Sequence, residues 1–125
     1  MSNDKKKILL VEDDKMISSM YQTKLELEGY SVLVAENGAQ AINLALAEKP
    51  DLILLDIILP QLDGFSVLRQ LRSTDITRNT PIIMLTNLGT DEDKDKGKKY
   101  GATDYLVKAS FTPTQVSEKI REYLK

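Results

Sequence analysis

At 125 residues the chain has room for one domain with one core, and none for a second. Its 42% hydrophobic and 29% charged residues exclude a disordered chain, and a formal net charge of -2 argues against a phosphate-backbone footprint, so direct nucleic-acid binding is not expected. The absence of Cys and His excludes disulfides, thiolate catalysis, Cys-type zinc sites and an imidazole base, which leaves carboxylates, hydroxyls and lysines to do any chemistry.

The N-terminus carries Lys5, Lys6 and Lys7 as a solvated lead-in to an apolar run, Ile8 to Val11, too short for a signal-peptide core or a membrane span. No membrane insertion is expected, and the cytoplasm is the expected compartment. The first helix should run from about Lys15 to Glu28, with Ile17, Met20, Tyr21 and Leu25 facing the core and Gly29 as its stop. Val32 to Ala35 is the weakest of five strand-length runs, and a second helix follows Gly38 with Ala41, Ile42 and Ala45 on one face. Leu52 to Leu55 is the third strand, and the helix after it, about Phe65 to Arg72, carries the stripe Phe65, Leu68 and Leu71. After the fourth run, Ile82 to Leu85, Thr90 and Asp93 are spaced as a capping box, and acidic Asp91, Glu92 and Asp93 suit the positive end of a helix dipole. That fourth helix is nearly all charged and contains Gly97, so it should be the least firmly docked. The fifth run is Tyr105 to Val107; the last helix has Thr112 as N-cap, Pro113 at its first position, Gln115 completing the box, and Val116, Ile120 and Leu124 inward. Apolar runs without alternation suit parallel strands covered on both faces, so the expected fold is α/β, a doubly wound five-stranded parallel sheet with five helices. A single domain over 1-125, folded from about residue 6, accounts for the chain.

Ligands of such sheets bind beyond the carboxyl ends of the strands. The first strand runs into Glu12, Asp13 and Asp14, the third into Asp56, the fourth into Thr86 and the fifth into Lys108. Alone, Asp14 reads as a helix cap. Together, crowded carboxylates repel unless a cation neutralises them, and oxygen donors without a calcium loop's run of acids point to magnesium. A carboxylate can serve as nucleophile and form an aspartyl phosphate when cations balance the incoming charge. Asp56 beside Thr86, Lys108 and a metal therefore points to phosphoryl transfer.

The same residues resemble the receiver domains of two-component response regulators over essentially the whole chain, of the stand-alone, chemotaxis-regulator-like kind. The resemblance implies the flavodoxin-like strand order 2-1-3-4-5. It implies that Asp56, followed by Pro60 and the Asp63-Gly64 turn, is the phospho-acceptor, with Lys108 and Thr86 as its partners. By the same resemblance Glu12, Asp13, Asp56 and the Ile58 backbone carbonyl would hold magnesium, with Glu12 acting through a metal-bound water. Thr86 and Tyr105 would be the switch pair, altering the face formed by the fourth helix, fifth strand and fifth helix. Partners would be a sensor histidine kinase or histidine phosphotransfer protein and a downstream protein target. Such a domain is no conventional enzyme, although it catalyses its own phosphorylation and slow dephosphorylation.

Two positions depart from the pattern. Ala109 stands where Pro usually follows the lysine, and because a cis bond before Ala costs about 2.5 to 4 kcal/mol the bond should be trans. Asn87 replaces the usual small residue after the threonine, and with Ile58 and Leu88 it should shield the phosphoryl group and slow its loss. A phosphorylation-independent binding module on the same fold is the first alternative. A phosphatase of the haloacid dehalogenase type would need Asp two residues after Asp56, where Ile58 stands, and a flavodoxin's phosphate would be repelled by the Glu12 to Asp14 run. No output domain follows the last helix, so the chain reads as a stand-alone receiver or as a part of a longer regulator.

Overall fold

The computed structural model describes residues 5–124; Met1–Asp4 and Lys125, the two ends of the expected domain, lie outside the described residues. The apolar runs become strands β1 (Lys7–Val11), β2 (Ser31–Ala35), β3 (Leu52–Leu55), β4 (Ile82–Thr86) and β5 (Asp104–Val107). Between and after them lie α1 (Lys15–Leu27), α2 (Gly38–Glu48), α3 (Gly64–Arg72), α4 (Asp91–Lys99) and α5 (Pro113–Tyr123), with a 3-10 turn at Lys108–Ser110. All the pairings are parallel and the order is β2-β1-β3-β4-β5, with β1 and β3 meeting at Leu10 and Leu54. No helix among the described residues is long and apolar enough to cross a membrane.

Alternate residues of each strand enter opposite cores, as a period of two requires. Leu9, Val11, Ile53, Leu55 and Met84 pack with Ala41 and Ala45 of α2 and with Phe65, Leu68 and Leu71 of α3. Ile8, Leu10, Leu54, Ile83 and Leu106 pack on the other face with Tyr21 and Leu25 of α1 and Val116 and Ile120 of α5. With both faces covered, each strand is apolar at successive positions.

The caps explain where helices start. Asp14 accepts from the backbone N–H groups of Met16 and Ile17, and Thr112 and Gln115 close a complete box on α5. On α4 the box is half made: Thr90 Oγ1 accepts from the Asp93 N–H, but the Asp93 carboxylate takes the Thr90 hydroxyl instead of its backbone N–H. Asp is one methylene shorter than the Glu of a full box. Met20, expected in the core, is 47% exposed. The α1 stripe runs through Ile17, Tyr21 and Leu25 at four-residue spacing, which leaves position 20 on its flank.

The charged helix α4 buries one residue among those described, Gly97. A Cβ there would stand 2.9 Å from the Tyr105 ring, so the glycine lets β5's tyrosine lie against the helix backbone. Lys96 sits 4.8 Å over the Phe65 ring, and Tyr100 is wedged between Phe65 and the Arg69 guanidinium. Cation–π contacts of this kind are worth about 0.5–1 kcal/mol each at exposed sites. At the end of α3, Arg72 donates to the carbonyls of Gly101, Thr77, Arg78 and Thr80 and to the Thr103 hydroxyl. One side chain thereby ties α3 to the segment joining α4 and β5. Its donors have carbonyl acceptors in a partly buried setting, where an unpaired donor would cost about 1–3 kcal/mol.

Candidate functional site

The chemistry-bearing residues lie where the apolar runs stop. Glu12 follows β1 and donates its N–H to Ala35, and Asp56 follows β3 and donates its N–H to Val11, so both backbones remain anchored to neighbouring strands. Lys108 follows β5 and reaches across: its Nζ donates to Glu12 Oε1 at 2.5 Å and to Asp56 Oδ2 at 2.9 Å. All three side chains are largely shut from solvent, with 11% of Lys108, 5% of Glu12 and 8% of Asp56 exposed. Burial pushes the Glu12 carboxyl up from its usual range; the Lys108 hydrogen bond and charge and the Asp14 N–H pull it back only in part. Burial pulls the Lys108 ammonium down, but its hydrogen bonds to Glu12 and Asp56 outweigh that and raise it overall. Two carboxylates share one ammonium here, an arrangement that favours a further cation.

The segment after Asp56 is folded tightly on itself. The Ile58 N–H donates to Asp56 Oδ1 at 3.3 Å, the chain turns back through Gln61 at φ 69, and the Gly64 N–H donates to the Ile57 carbonyl at 2.8 Å. Asp63 caps α3 through the Ser66 N–H. Gly64 passes so close to Asp56 that a Cβ would stand 2.1 Å from the Asp56 carbonyl oxygen.

Of the residues expected in the metal set, the structure brings the Glu12 and Asp56 carboxylates together on Lys108, and Ile58 meets Asp56 through its backbone N–H. Asp13 is exposed and outside the Lys108 cluster, and among the described residues no three His, Cys, Asp or Glu side chains form a metal-holding group. The donor chemistry nevertheless fits magnesium, which keeps several waters and needs only one or two carboxylates. Asp14 is used as the α1 cap.

Thr86 is fully buried, and its Oγ1 accepts from the Leu88 N–H at 3.3 Å. The half-buried Tyr105 donates its hydroxyl to the Leu88 carbonyl at 2.5 Å. Burial, with the charges of Asp93 and Asp56, pushes the Tyr105 phenol up to about 12. Thr86 and Tyr105, the expected switch pair, thus bond to the two backbone groups of one residue, Leu88, and not to each other in the hydrogen bonds described. Ile58 is 58% exposed on the rim, Leu88 is half-buried and Asn87 is exposed. The Lys108–Ala109 bond is trans, as expected.

A pocket of about 310 Å³ adjoins this cluster between α1 and the turn after β5, lined by Ile17, Tyr21, Asn87, Lys108 and Phe111 among others. A larger hollow of about 640 Å³ beside Arg69, Arg72 and Tyr100 contains none of the strand-end residues. Sequence reasoning gave Gly64 no contact with Asp56.

The family described as the response regulator receiver domain matches residues 8–121. The chain is 41% identical over its whole length to the probable transcriptional regulator ycf27 of Porphyra purpurea, covering 50% of that protein. It is 42% identical over 120 residues to the alkaline phosphatase synthesis transcriptional regulatory protein PhoP of Bacillus subtilis, covering 96% of this chain and 49% of that one. The chain thus spans about half the length of these curated relatives. Among solved structures, the chemotaxis protein CheY4 of Vibrio cholerae superposes with a TM-score of 0.89 at 33% identity, over 95% of this chain and 98% of that one. The BeF3-activated N-terminal receiver domain of Klebsiella pneumoniae RstA gives 0.88 at 34% identity, with 95% and 98% covered. With the expected fold, strand order and strand-end residues all present, the chain belongs to the receiver domain family of two-component response regulators.

Proposed function

We propose that this domain accepts a phosphoryl group on Asp56 from a phosphohistidine of a sensor histidine kinase or phosphotransfer protein, in a magnesium-dependent reaction, and passes the signal to a downstream target. The observation that carries this reading is the buried Lys108 ammonium bonded to both Glu12 and Asp56 at the strand ends. Asp56 Oδ attacks the phosphorus, a P–O bond forms, and the P–N bond breaks with its electron pair going to the donor imidazole. Lys108 neutralises charge on the incoming phosphoryl oxygens, and the Thr86 hydroxyl is placed at the neighbouring strand end to donate to one of them. Asp13, Asp56 and the Ile58 carbonyl, with Glu12 through a water, would hold magnesium, which when bound supplies further positive charge against those oxygens. The curated relatives named as transcriptional regulators support transcription control as the output. Intact mass after incubation with magnesium and a small acyl phosphate tests the reading: one added phosphoryl mass, mapped to Asp56, is expected, and an unchanged mass sinks it.

Two further outcomes follow from the geometry. Asp13→Ala should weaken magnesium far more than Asp14→Ala, because the Asp14 carboxylate already serves the N–H groups of Met16 and Ile17. Asp14→Ala should instead cost about 1 kcal/mol of stability as a lost cap. Calorimetric titration and urea unfolding of both variants separate the effects, and equal affinity losses would overturn the assignment. Replacing the apolar rim in an Ile58→Asn, Leu88→Glu double variant should speed phosphate release, because polar groups there can orient an attacking water and Ile and Leu cannot. Release no faster than in the parent chain would show that the rim does not shield the acyl phosphate.

A further inference from the structure

Arg69 and Arg72, neighbours on α3, line the hollow of about 640 Å³ together with Ser66, Gln70, Ser73 and Tyr100. Ser66, Arg69, Gln70 and Ser73 fall at i, i+3, i+4 and i+7, so one face of α3 runs along the hollow, and Tyr100, just past α4, joins it. Every lining side chain can make hydrogen bonds, two are cations, and none is acidic.

Neither guanidinium has a carboxylate partner among the described residues. A ring places Arg69 instead: its guanidinium lies 5.0 Å over Tyr100, and none of its N–H donors is used in the hydrogen bonds described. Arg72 gives its donors to four carbonyls and a hydroxyl, all neutral, and one Nη keeps an N–H beyond its contact with Thr103. Burial pulls the Arg72 guanidinium down from its ordinary value, and no carboxylate acts to raise it. Charges withdrawn from water are ordinarily paired, so a half-buried cation without a counter-charge points to a missing anion. The nearby carboxylates are committed elsewhere, Asp63 to the Ser66 N–H and hydroxyl and Asp75 to Arg78.

The carboxyl ends of α3 and α4 oppose an anion here, each with about half a negative charge. Arg69, Arg72 and Lys96, which sits over the Phe65 ring that meets Tyr100, outweigh them by about three charges to one. A single guanidinium satisfies a planar carboxylate, whereas a tetrahedral phosphoryl group offers its oxygens to two guanidiniums at once and carries a charge of about -2 to match them. The volume also falls within the range of about 300–1,000 Å³ usual for small-ligand sites.

We propose that this hollow binds the phosphoryl group of a small organic phosphate between Arg69 and Arg72, with Ser66, Gln70 and Ser73 meeting the polar body of the ligand. The site shares no residue with the strand-end cluster and stands independently of the phospho-acceptor reading.

The test is a titration with glycerol 3-phosphate in magnesium-free buffer at constant ionic strength, followed by the Arg69 Nε and Tyr100 ring resonances. In the parent chain both should shift and saturate, and glycerol at the same concentrations should move neither. Arg69→Gln changes an exposed side chain, so its unfolding midpoint should stay near the parent's while its affinity falls about tenfold. Resonances that do not saturate, equal affinity in the Gln variant, or shifts that gather at Lys108 and leave Tyr100 still would each overturn the site. The parent titration decides the matter even where the variant fails to fold.

Discussion

Asp56→Asn should abolish labelling by a small acyl phosphate, down to background, while the fold remains. The amide preserves the shape and an acceptor oxygen for Lys108, but its oxygen is a poor nucleophile. Stability should hold or rise. The buried cluster passes from two carboxylates against one ammonium to one against one, which removes repulsion between Asp56 and Glu12 and leaves Lys108 paired with Glu12 at 2.5 Å. Intact mass and urea unfolding read the two effects separately. Undiminished labelling of the Asn variant would move the acceptor elsewhere, and loss of folding would show that the Asp56 charge is needed structurally.

The second large effect should come from a single added methyl. Gly64→Ala places a Cβ 2.1 Å from the Asp56 carbonyl oxygen and 2.6 Å from the Ile57 Cα, both backbone atoms that cannot rotate aside. Overpacking of well-fitted sites costs about 1–3 kcal/mol, occasionally more, and this contact belongs at or above the upper end. Relief requires Asp56 to shift with its strand end. A misplacement of about 1 Å can cost on the order of a hundredfold in rate, so phosphorylation should fall steeply as well. Gly29→Ala is the control: Gly29 has φ +99 but nothing within 4 Å of its added Cβ, so it should lose only about 1 kcal/mol and keep full labelling. Equal losses in both variants would mean that the Asp56 to Gly64 segment yields easily.

The strands were legible because parallel strands covered on both faces must be apolar at successive positions, and the expected runs match the observed strands to within a residue. The last helix was legible for a local reason, since a Thr112–Gln115 box with Pro113 between its members is written within four residues. Met20 failed because a helical stripe drawn from spacing alone has soft edges, and only the packing of α5 and the sheet decides which flank is covered. The weak apolar character of α4 was visible, but its anchors belong to other elements: Phe65 on α3, Tyr105 on β5 and Arg72 at the far end of α3. Within the site, Glu12, Asp56 and Lys108 announced themselves as charges directly after apolar runs. The Gly64 approach depends on tertiary geometry with no local signature.

Arg72 and the Tyr100 stack act at one end of α4, and what they leave at the other end sets the mechanics of the helix. The carboxyl end is riveted to α3 through the Gly101 carbonyl, the Thr103 hydroxyl and the Phe65–Tyr100–Arg69 stack. The amino end follows exposed residues and the half-buried Leu88, which is tied to the sheet by its N–H on Thr86 Oγ1 and by the Tyr105 hydroxyl on its carbonyl. Taken as a nine-residue rod fixed at that carboxyl end, the helix has an arm of about 13 Å at 1.5 Å of rise per residue. A tilt of roughly ten degrees then carries the tip through about 2 Å while the fulcrum stays still. Displacement along α4 should therefore grow toward Asp91, and a surface that senses the movement has to engage the helix near that tip.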